Sequence, residues 1–291
     1  MSESTPSSGG PTTARGPMLR RAFLGLTLLT AVAAPGVAQD GEPFNADCTP
    51  LFTPQQHSID SDCGIEGAGT TAAKRLESRA KNNFCATGAP VRLTFFSFDR
   101  LHAATKAADF DLGASREGVR GDVLTTSDGN PVGEGDVVMI AGFVIRADVA
   151  NRSNGEAVNC NRGGALRNDV HIHVAPTPSK ARANFCQAVI AEMSPHLRPD
   201  FWTGGDLMLA DGIPIRITGH LFYDGSHPDT SCPPSASQKA RARASAWEIH
   251  PVYRVDVCRF TTLQTCDPRN EPRWQPLEEW LNEHEDESHD E

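Results

Sequence analysis

Long segments of β-strand type in the second half of the chain constrain its fold more than any other feature. In the stretch RNDVHIHVAP, Val170, Ile172 and Val174 fall on one side of an extended backbone, because successive side chains of a strand point to opposite faces. The stretch SAWEIHPV alternates in the same way around Trp247 and Ile249. Two further stretches of strand type are DVVMIAGFVIRADV and IPIRITGHLFYD. The second half of the chain therefore predicts a sheet with one apolar face.

The order of the segments predicts a barrel. GEAVNC is the expected second strand, which makes DVHIHVA the third. SKARANFCQAVIAEMSP predicts a helix with an apolar stripe, capped by Ser179 and ended by Pro195. Gly142 suits a sharply bent barrel strand. Three strands, a helix and two strands are typical of a five-stranded OB-like barrel, which we assign to residues 135–266 of a mainly β protein with one or two helices.

An N-terminal extension of helix and strand is predicted over residues 39–134, packed on the barrel. Thr70 or Thr71 caps a helical pattern that runs towards Phe84, and PVRLTFFSFDRL follows as a strand because its apolar residues alternate. Residues 267–291 are predicted to be an acidic C-terminal tail, in which LEEWLNEHEDESHDE begins as a short helix.

Residues 1–38 are predicted to be a signal peptide. Arg20 and Arg21 precede a mostly apolar run, small residues follow up to Ala38, and Met18 offers a conventional start for such a signal. The apolar run is too short to span a membrane, so we expect no span in the mature chain. The stretch RRAFL resembles a twin-arginine signal, and a general secretory signal is the alternative. Both predict a periplasmic or secreted protein.

All eight cysteines follow the predicted signal peptide. An even number of cysteines in an exported chain predicts up to four disulfides, although spacing alone does not give their pairing. Cys258 with Cys266 and Cys48 with Cys63 would close the shortest loops. No two cysteines have the CxxC spacing, which argues against a zinc knuckle or a thioredoxin-like motif.

The charge of the chain is unfavourable for binding nucleic acid. Its formal net charge is −10 at pH 7, whereas nonspecific nucleic-acid binding needs a basic surface. The one dense basic run of the sequence is KARARAS at residues 239–245, which we interpret as a solvated approach to a strand. A small molecule or another envelope ligand is the expected partner.

Two of the predicted strands carry polar residues on the face opposite to their apolar residues. Asp169, His171 and His173 share that face in DVHIHV, and Glu248 and His250 share it in SAWEIHPV. Neighbouring segments add further carboxylates, amides and imidazoles. These are Glu156 and Asn159 in GEAVNC, Glu192 and His196 in AEMSPHLRP, and His220, Asp224 and His227 in GHLFYDGSH.

The stretches GEAVNC, NDVHIH, EMSPHLRP, GHLFYDGSH and WEIHPV resemble a family of exported bacterial proteins without a characterised activity. The resemblance spans residues 135–258, and its most specific parts are an NDxHI motif and the WEIHPV motif. It implies a shared OB-like domain, and it implies no reaction.

One hypothesis for the polar residues is a metal centre. His171 and His173 place two imidazoles on one face of a strand, which with one more ligand is a set for zinc or another divalent metal. His250 or Glu192 is the expected third ligand, and Glu248 and His227 are further candidates. Glu248 or Asp224 would then act as the base on metal-bound water. This hypothesis predicts a metal-dependent hydrolase that acts on a small phosphodiester or another envelope substrate.

A ligand-binding or accessory domain is the leading alternative from a different class. OB barrels commonly bind ligands on the face of their second and third strands. In this interpretation the ligand contacts are Asp169, His171, Glu192 and His227. A third interpretation gives the same side chains a purely structural role, as partly exposed barrel residues that bond to neighbouring strands and loops.

Overall fold

The computed structural model describes residues 41–108, 110, 112, 113 and 115–285, so the predicted signal peptide and the last six residues lie outside the described residues. The strands are β1 (Val91–Arg92), β2 (Leu124–Thr125), β3 (Pro131–Val132), β4 (Val137–Val149), β5 (Val170–Ala175), β6 (Val189–Met193), β7 (Pro214–Tyr223), β8 (Trp247–Cys258) and β9 (Trp274–Pro276). The α-helices are α1 (Ser58–Asp62), α2 (Ala72–Lys81), α3 (Phe95–Ala107), α4 (Arg182–Phe185), α5 (Gly204–Leu209) and α6 (Leu277–Glu285).

Five of the strands close a barrel. β4 pairs with β5, β5 with β6, β6 with β8, β8 with β7, and β7 again with β4. The β6–β8 pair is parallel and the other four pairs are antiparallel. Because α5 lies between β6 and β7, the predicted order of three strands, a helix and two strands is confirmed.

Two of the assignments behind that order are wrong, and they compensate each other. GEAVNC is a 3₁₀ turn at Ala157–Asn159, ended by Cys160 in the left-handed region at φ 52°, so DVHIHVA is the second strand. The helix predicted over residues 179–195 is reduced to α4, and Val189–Met193 is the third strand. Pairing with β5 and β8 on its two sides satisfies the backbone of β6, which outweighs the helical spacing of its apolar residues.

Apolar side chains from all five strands fill the barrel. Gly142 is required where β4 passes Val174, because a Cβ atom there would lie 2.7 Å from Cγ1 of Val174 and 2.8 Å from the carbonyl oxygen of Ala175. The interior includes Ile140, Val144, Val170, Ile172, Val174, Val189, Ala191, Met193, Ile215, Ile217, Leu221, Trp247 and Ile249.

The N-terminal extension packs against the barrel through aromatic residues. Phe44 and Phe84 of the extension form a buried cluster with Val137 of β4 and Tyr253 of β8. The helix predicted after Thr71 is confirmed as α2, because the Thr71 side chain accepts a hydrogen bond from the Lys74 amide.

The strand predicted at PVRLTFFSFDRL is wrong beyond Arg92. Only Val91–Arg92 is extended as β1, and α3 begins at Phe95. Thr94 and Ser97 form a reciprocal capping box that starts this helix, and its buried residues Phe98 and Leu101 follow helical spacing. At the other end of the chain, the predicted short C-terminal helix is confirmed as α6.

Four disulfides cross-link the chain, and no cysteine of the described residues is free. They fit an extracellular or periplasmic protein. Among the helices that the structure describes, none is long and apolar enough to cross a membrane. Of the two shortest loops that the sequence allows, Cys258 with Cys266 is closed, whereas Cys48 and Cys63 have other partners. The pairs are Cys48–Cys85, Cys63–Cys160, Cys186–Cys232 and Cys258–Cys266.

Candidate metal centre and cavity

The outer face of β5, β6 and β8 carries the polar residues that the sequence analysis singled out. His171 of β5 lies opposite Glu192 of β6, and Ile190 of β6 lies opposite Glu248 of β8. Since side chains alternate along a strand, His250 faces the same side as Glu248. Inward-facing neighbours such as Ile172 and Ile249 fill the barrel. The strand register therefore brings His171, Glu192 and His250 together on the outside of the barrel wall.

Glu192 lies at the centre of this group. Its Oε1 atom is 3.0 Å from Nε2 of His171, and its Oε2 atom is 2.8 Å from Nδ1 of His250. The ammonium of Lys81, at the end of α2, lies 4.0 Å from the same Oε2. Glu192 and His250 are buried, whereas the His171 side chain remains 24 % exposed.

Several of these atoms are close together without hydrogen bonds. The His171 contact to Glu192 is short enough in distance but lacks hydrogen-bond geometry. Glu192 and His250 form a buried pair at 2.8 Å, in which the carboxylate favours the protonated imidazole and the imidazole lowers the pKa of the carboxyl. A buried polar atom without a partner is costly, and such atoms are few in folded proteins. Within the described residues, the unpartnered buried atoms of this cluster are Oδ1 of Asp169, Oε2 of Glu156, Oε2 of Glu192, Nε2 of His171 and both ring nitrogens of His250.

The donor atoms form two groups of metal-ligand type that share one residue. Asp169, Glu192 and His250 are the first group, and all three residues are buried. Glu156, Asp169 and His171 are the second. In each group, one ligand atom from each residue lies within 4.8 Å of the others. Both groups offer carboxylate oxygen and imidazole nitrogen, the ligands that zinc, manganese and iron accept.

The GEAVNC turn and the N-terminal extension position the second group. Asn159 of the turn donates a 3.3 Å hydrogen bond to Oδ2 of Asp169, and Asn151 donates a 2.7 Å bond to Oε1 of Glu156. The Cys63–Cys160 disulfide fixes the end of the turn. The extension approaches so closely that a Cβ atom at Gly67 would lie 2.3 Å from the carbonyl oxygen of Ala157.

Burial and neighbouring charges shift the pKa values of the first group in opposite directions. Burial and the carboxylates of Glu156 and Glu192 raise the pKa of Asp169 well above its ordinary value. Burial also raises the pKa of Glu192, but His171 and Lys81 outweigh it and hold that pKa well below its usual range. Burial lowers the pKa of His250, which keeps its imidazole neutral and leaves a ring nitrogen with a lone pair for a metal ion.

A second polar network lies beside the metal-ligand groups. Arg243 donates a short hydrogen bond to Oε1 of Glu248 and lies 3.6 Å from Oδ2 of Asp224. Asp224 also accepts a 2.6 Å hydrogen bond from Nδ1 of His227. The interpretation of KARARAS as a solvated segment is therefore wrong at Arg243, which is 5 % exposed because its guanidinium pairs with these buried carboxylates.

A cavity of about 500 Å³ opens over both networks. Its wall is polar and carries charges of both signs. Asp169, Glu248 and His250 lie behind this wall and are buried. The residues at the cavity include Lys81, Glu156, His171, Glu192, Asp224, His227, Arg241 and Arg243.

The structure brings most of the predicted site residues to this region. Asp169, His171, Glu192 and His250 belong to the metal-ligand groups, and Asp224, His227 and Glu248 belong to the adjacent network. His173 lies outside both metal-ligand groups. Its ring packs edge-on against Phe185, and burial and the Arg243 charge lower the pKa of His173 to about 3.

Sequence reasoning missed two cations of the site. Lys81 comes from the N-terminal helix, and Arg243 comes from the loop before β8. A basic residue at the end of an amphipathic helix gave no signal of a site, because such residues usually interact with the helix dipole or with solvent.

Comparison of the chain with protein-family profiles, with curated proteins and with solved structures finds no match.

Proposed function

We propose that this protein is an OB-like barrel domain that binds a divalent metal ion at Asp169, Glu192 and His250. The observation that carries the proposal is the convergence of buried ligand atoms that have no hydrogen-bond partner among the described residues. An ion at their centre would satisfy these atoms together. Zinc, manganese and iron suit a site of two carboxylates and one imidazole.

His171 and the cavity support access to this ion. Nε2 of His171 lies 3.0 Å from the central carboxylate, and the imidazole also borders the cavity. Three protein ligands leave coordination positions for water or a small ligand, as in catalytic metal sites. The proposed function thus combines the metal centre and the ligand-binding domain that the sequence suggested. A ligand in the cavity would contact the metal ion.

The protein is further proposed to act in the periplasm or outside the cell. The predicted twin-arginine-like or secretory signal and the four disulfides support this location. The resemblance to an exported bacterial family supports it as well.

Metal analysis of the untagged mature protein, purified from its native compartment, tests the proposal. At least one equivalent of zinc, manganese or iron per chain is expected. Glu192→Gln keeps the size of the side chain but removes the central charge, so this variant should lose the buried ion. His284→Gln is the matched control, because His284 is an exposed imidazole on α6 far along the chain from the site. A folded, metal-free protein that takes up none of these ions would refute the proposal.

Metal-dependent hydrolysis of a small phosphodiester is the second candidate function. The Asp224–His227 pair at the cavity favours it, because a carboxylate that accepts from Nδ1 orients the imidazole for proton transfer through Nε2. Water would attack phosphorus, the phosphorus–oxygen bond to the leaving group would break, and the water proton would pass through His227 to the leaving oxygen.

The same metal-loaded preparation separates the two candidates. Hydrolysis of bis(p-nitrophenyl) phosphate that falls at least tenfold in His227→Gln, with metal content unchanged, supports the hydrolase. Metal binding without hydrolysis leaves the protein as a binding domain.

A further inference from the structure

The two metal-ligand groups meet at a single carboxylate. Asp169 belongs to both groups, with Glu192 and His250 in one and with Glu156 and His171 in the other. Resting on the proposed function, we propose that the site binds two divalent ions, and that the Asp169 carboxylate bridges them. The first ion lies in the buried group, and the second lies between Glu156, Asp169 and His171.

The Asp169 carboxylate has the available lone pairs that it needs to bridge two metal ions. Its Oδ1 atom has no hydrogen bond of good geometry among the described residues and has the Glu156 carboxyl as a close neighbour, and its Oδ2 atom accepts one 3.3 Å bond from Asn159. Each carboxylate oxygen has two lone pairs, so Oδ2 can accept that bond and still bind an ion. Bridged pairs of ions in proteins lie about 3.5–4 Å apart. One carboxylate shared by two adjacent ligand groups matches that arrangement.

The second group has its own unsatisfied atoms. Oε2 of Glu156 and Nε2 of His171 lack hydrogen-bond partners, and Glu156 has no ion pair within the part of the chain that the structure describes. Asn151 holds the other oxygen of Glu156 at 2.7 Å, which leaves Oε2 available for the group. Lys81 lies 4.0 Å from Glu192, and its charge also acts on Asp169 and Glu156.

The two ions would differ in their access to the cavity. Glu156 and His171 border the cavity, whereas Asp169 and His250 lie behind its wall. The second ion would therefore face a ligand directly, and the first would act from the buried side. Paired ions of this kind stabilise both the attacking and the leaving oxygen of a displacement at phosphorus.

Manganese loading of the full mature protein tests the second ion. Metal analysis after removal of free Mn²⁺ should give two ions per chain, and low-temperature electron paramagnetic resonance should show the multiline spectrum of a spin-coupled pair. Glu156→Gln should bind one ion and show an uncoupled six-line spectrum. Asp229→Asn, which removes another acid at the same cavity, should retain two coupled ions.

The possible results separate this inference from the proposed function. One uncoupled ion per chain in the wild-type protein would overturn the second ion and leave the proposed function standing. Two ions without spin coupling would overturn the Asp169 bridge. No bound manganese, zinc or iron would overturn both proposals. The wild-type spectrum decides the question even if Glu156→Gln fails to fold.

Discussion

The inner and outer faces of β5, β6 and β8 differ in the residues that they bury. Along β5, Val170, Ile172 and Val174 fill the barrel, and each is almost fully buried. On the other face of β5 and of its neighbours, buried carboxylates and imidazoles lie close together, and several of their atoms have no hydrogen-bond partner within the described residues. The inner face stabilises the fold through apolar burial. In the part of the chain that the structure describes, the outer face leaves buried polar atoms without hydrogen-bond partners, which is typical of sites that bind a ligand.

The largest effect on stability is expected when an apolar side chain on the inner face is truncated. Ile172→Ala should lower the free energy of unfolding by about 2–5 kcal/mol, because it leaves a cavity in the barrel. The loss should be the same with and without metal, since Ile172 packs in the barrel core and is not a ligand residue. Urea unfolding followed by circular dichroism, in EDTA and with added Zn²⁺, measures both values.

The adjacent residue on the same strand is the matched comparison. His171→Ala should lower the free energy of unfolding of the metal-free protein by about 1 kcal/mol, less than Ile172→Ala does. The partly exposed His171 side chain leaves no cavity in the barrel, and the loss comes from its contact with the buried Glu192 carboxylate. His171→Ala should also reduce the stabilisation that metal provides. Equal losses for Ile172→Ala and His171→Ala in EDTA would remove the distinction between the two faces.

A smaller effect, a gain in the stability of the metal-free protein, is expected from a substitution at Asp169. Asp169→Asn keeps an oxygen that can accept from Asn159 and removes a carboxyl whose ionisation is opposed by burial and by the neighbouring carboxylates. The metal-free variant should therefore be more stable than the wild-type protein by about 1 kcal/mol, while the stabilisation by metal should be lost. Chemical unfolding in EDTA tests the sign. A destabilised metal-free variant would indicate that the Asp169 charge supports the fold by itself.

The barrel could be predicted from the sequence because alternation is a local signal. Trp247 and Ile249 face inward and Glu248 and His250 face outward, as their spacing indicated. The third strand could not be predicted in this way. Val189, Ile190 and Met193 also fit a helical stripe, and only pairing with β5 and β8 makes the segment a strand.

The candidate site was predictable where it depends on strands and was missed where it depends on long-range packing. Asp169, His171 and His250 were found by alternation. Glu192 was predicted to be a site residue although its segment was assigned to a helix. Lys81 reaches the site from a helix more than a hundred residues away, so no local pattern connects it with Glu192.

Anomalous diffraction from crystals grown with Zn²⁺ or Mn²⁺ tests the metal centre most directly. An anomalous peak is expected in the barrel wall, about 2.0–2.2 Å from a carboxylate oxygen of Glu192 and from a ring nitrogen of His250. The peak should disappear in Glu192→Gln crystals grown in the same way. Peaks confined to exposed imidazoles such as His284, with the Glu192 cluster empty at the same metal concentration, would contradict the account.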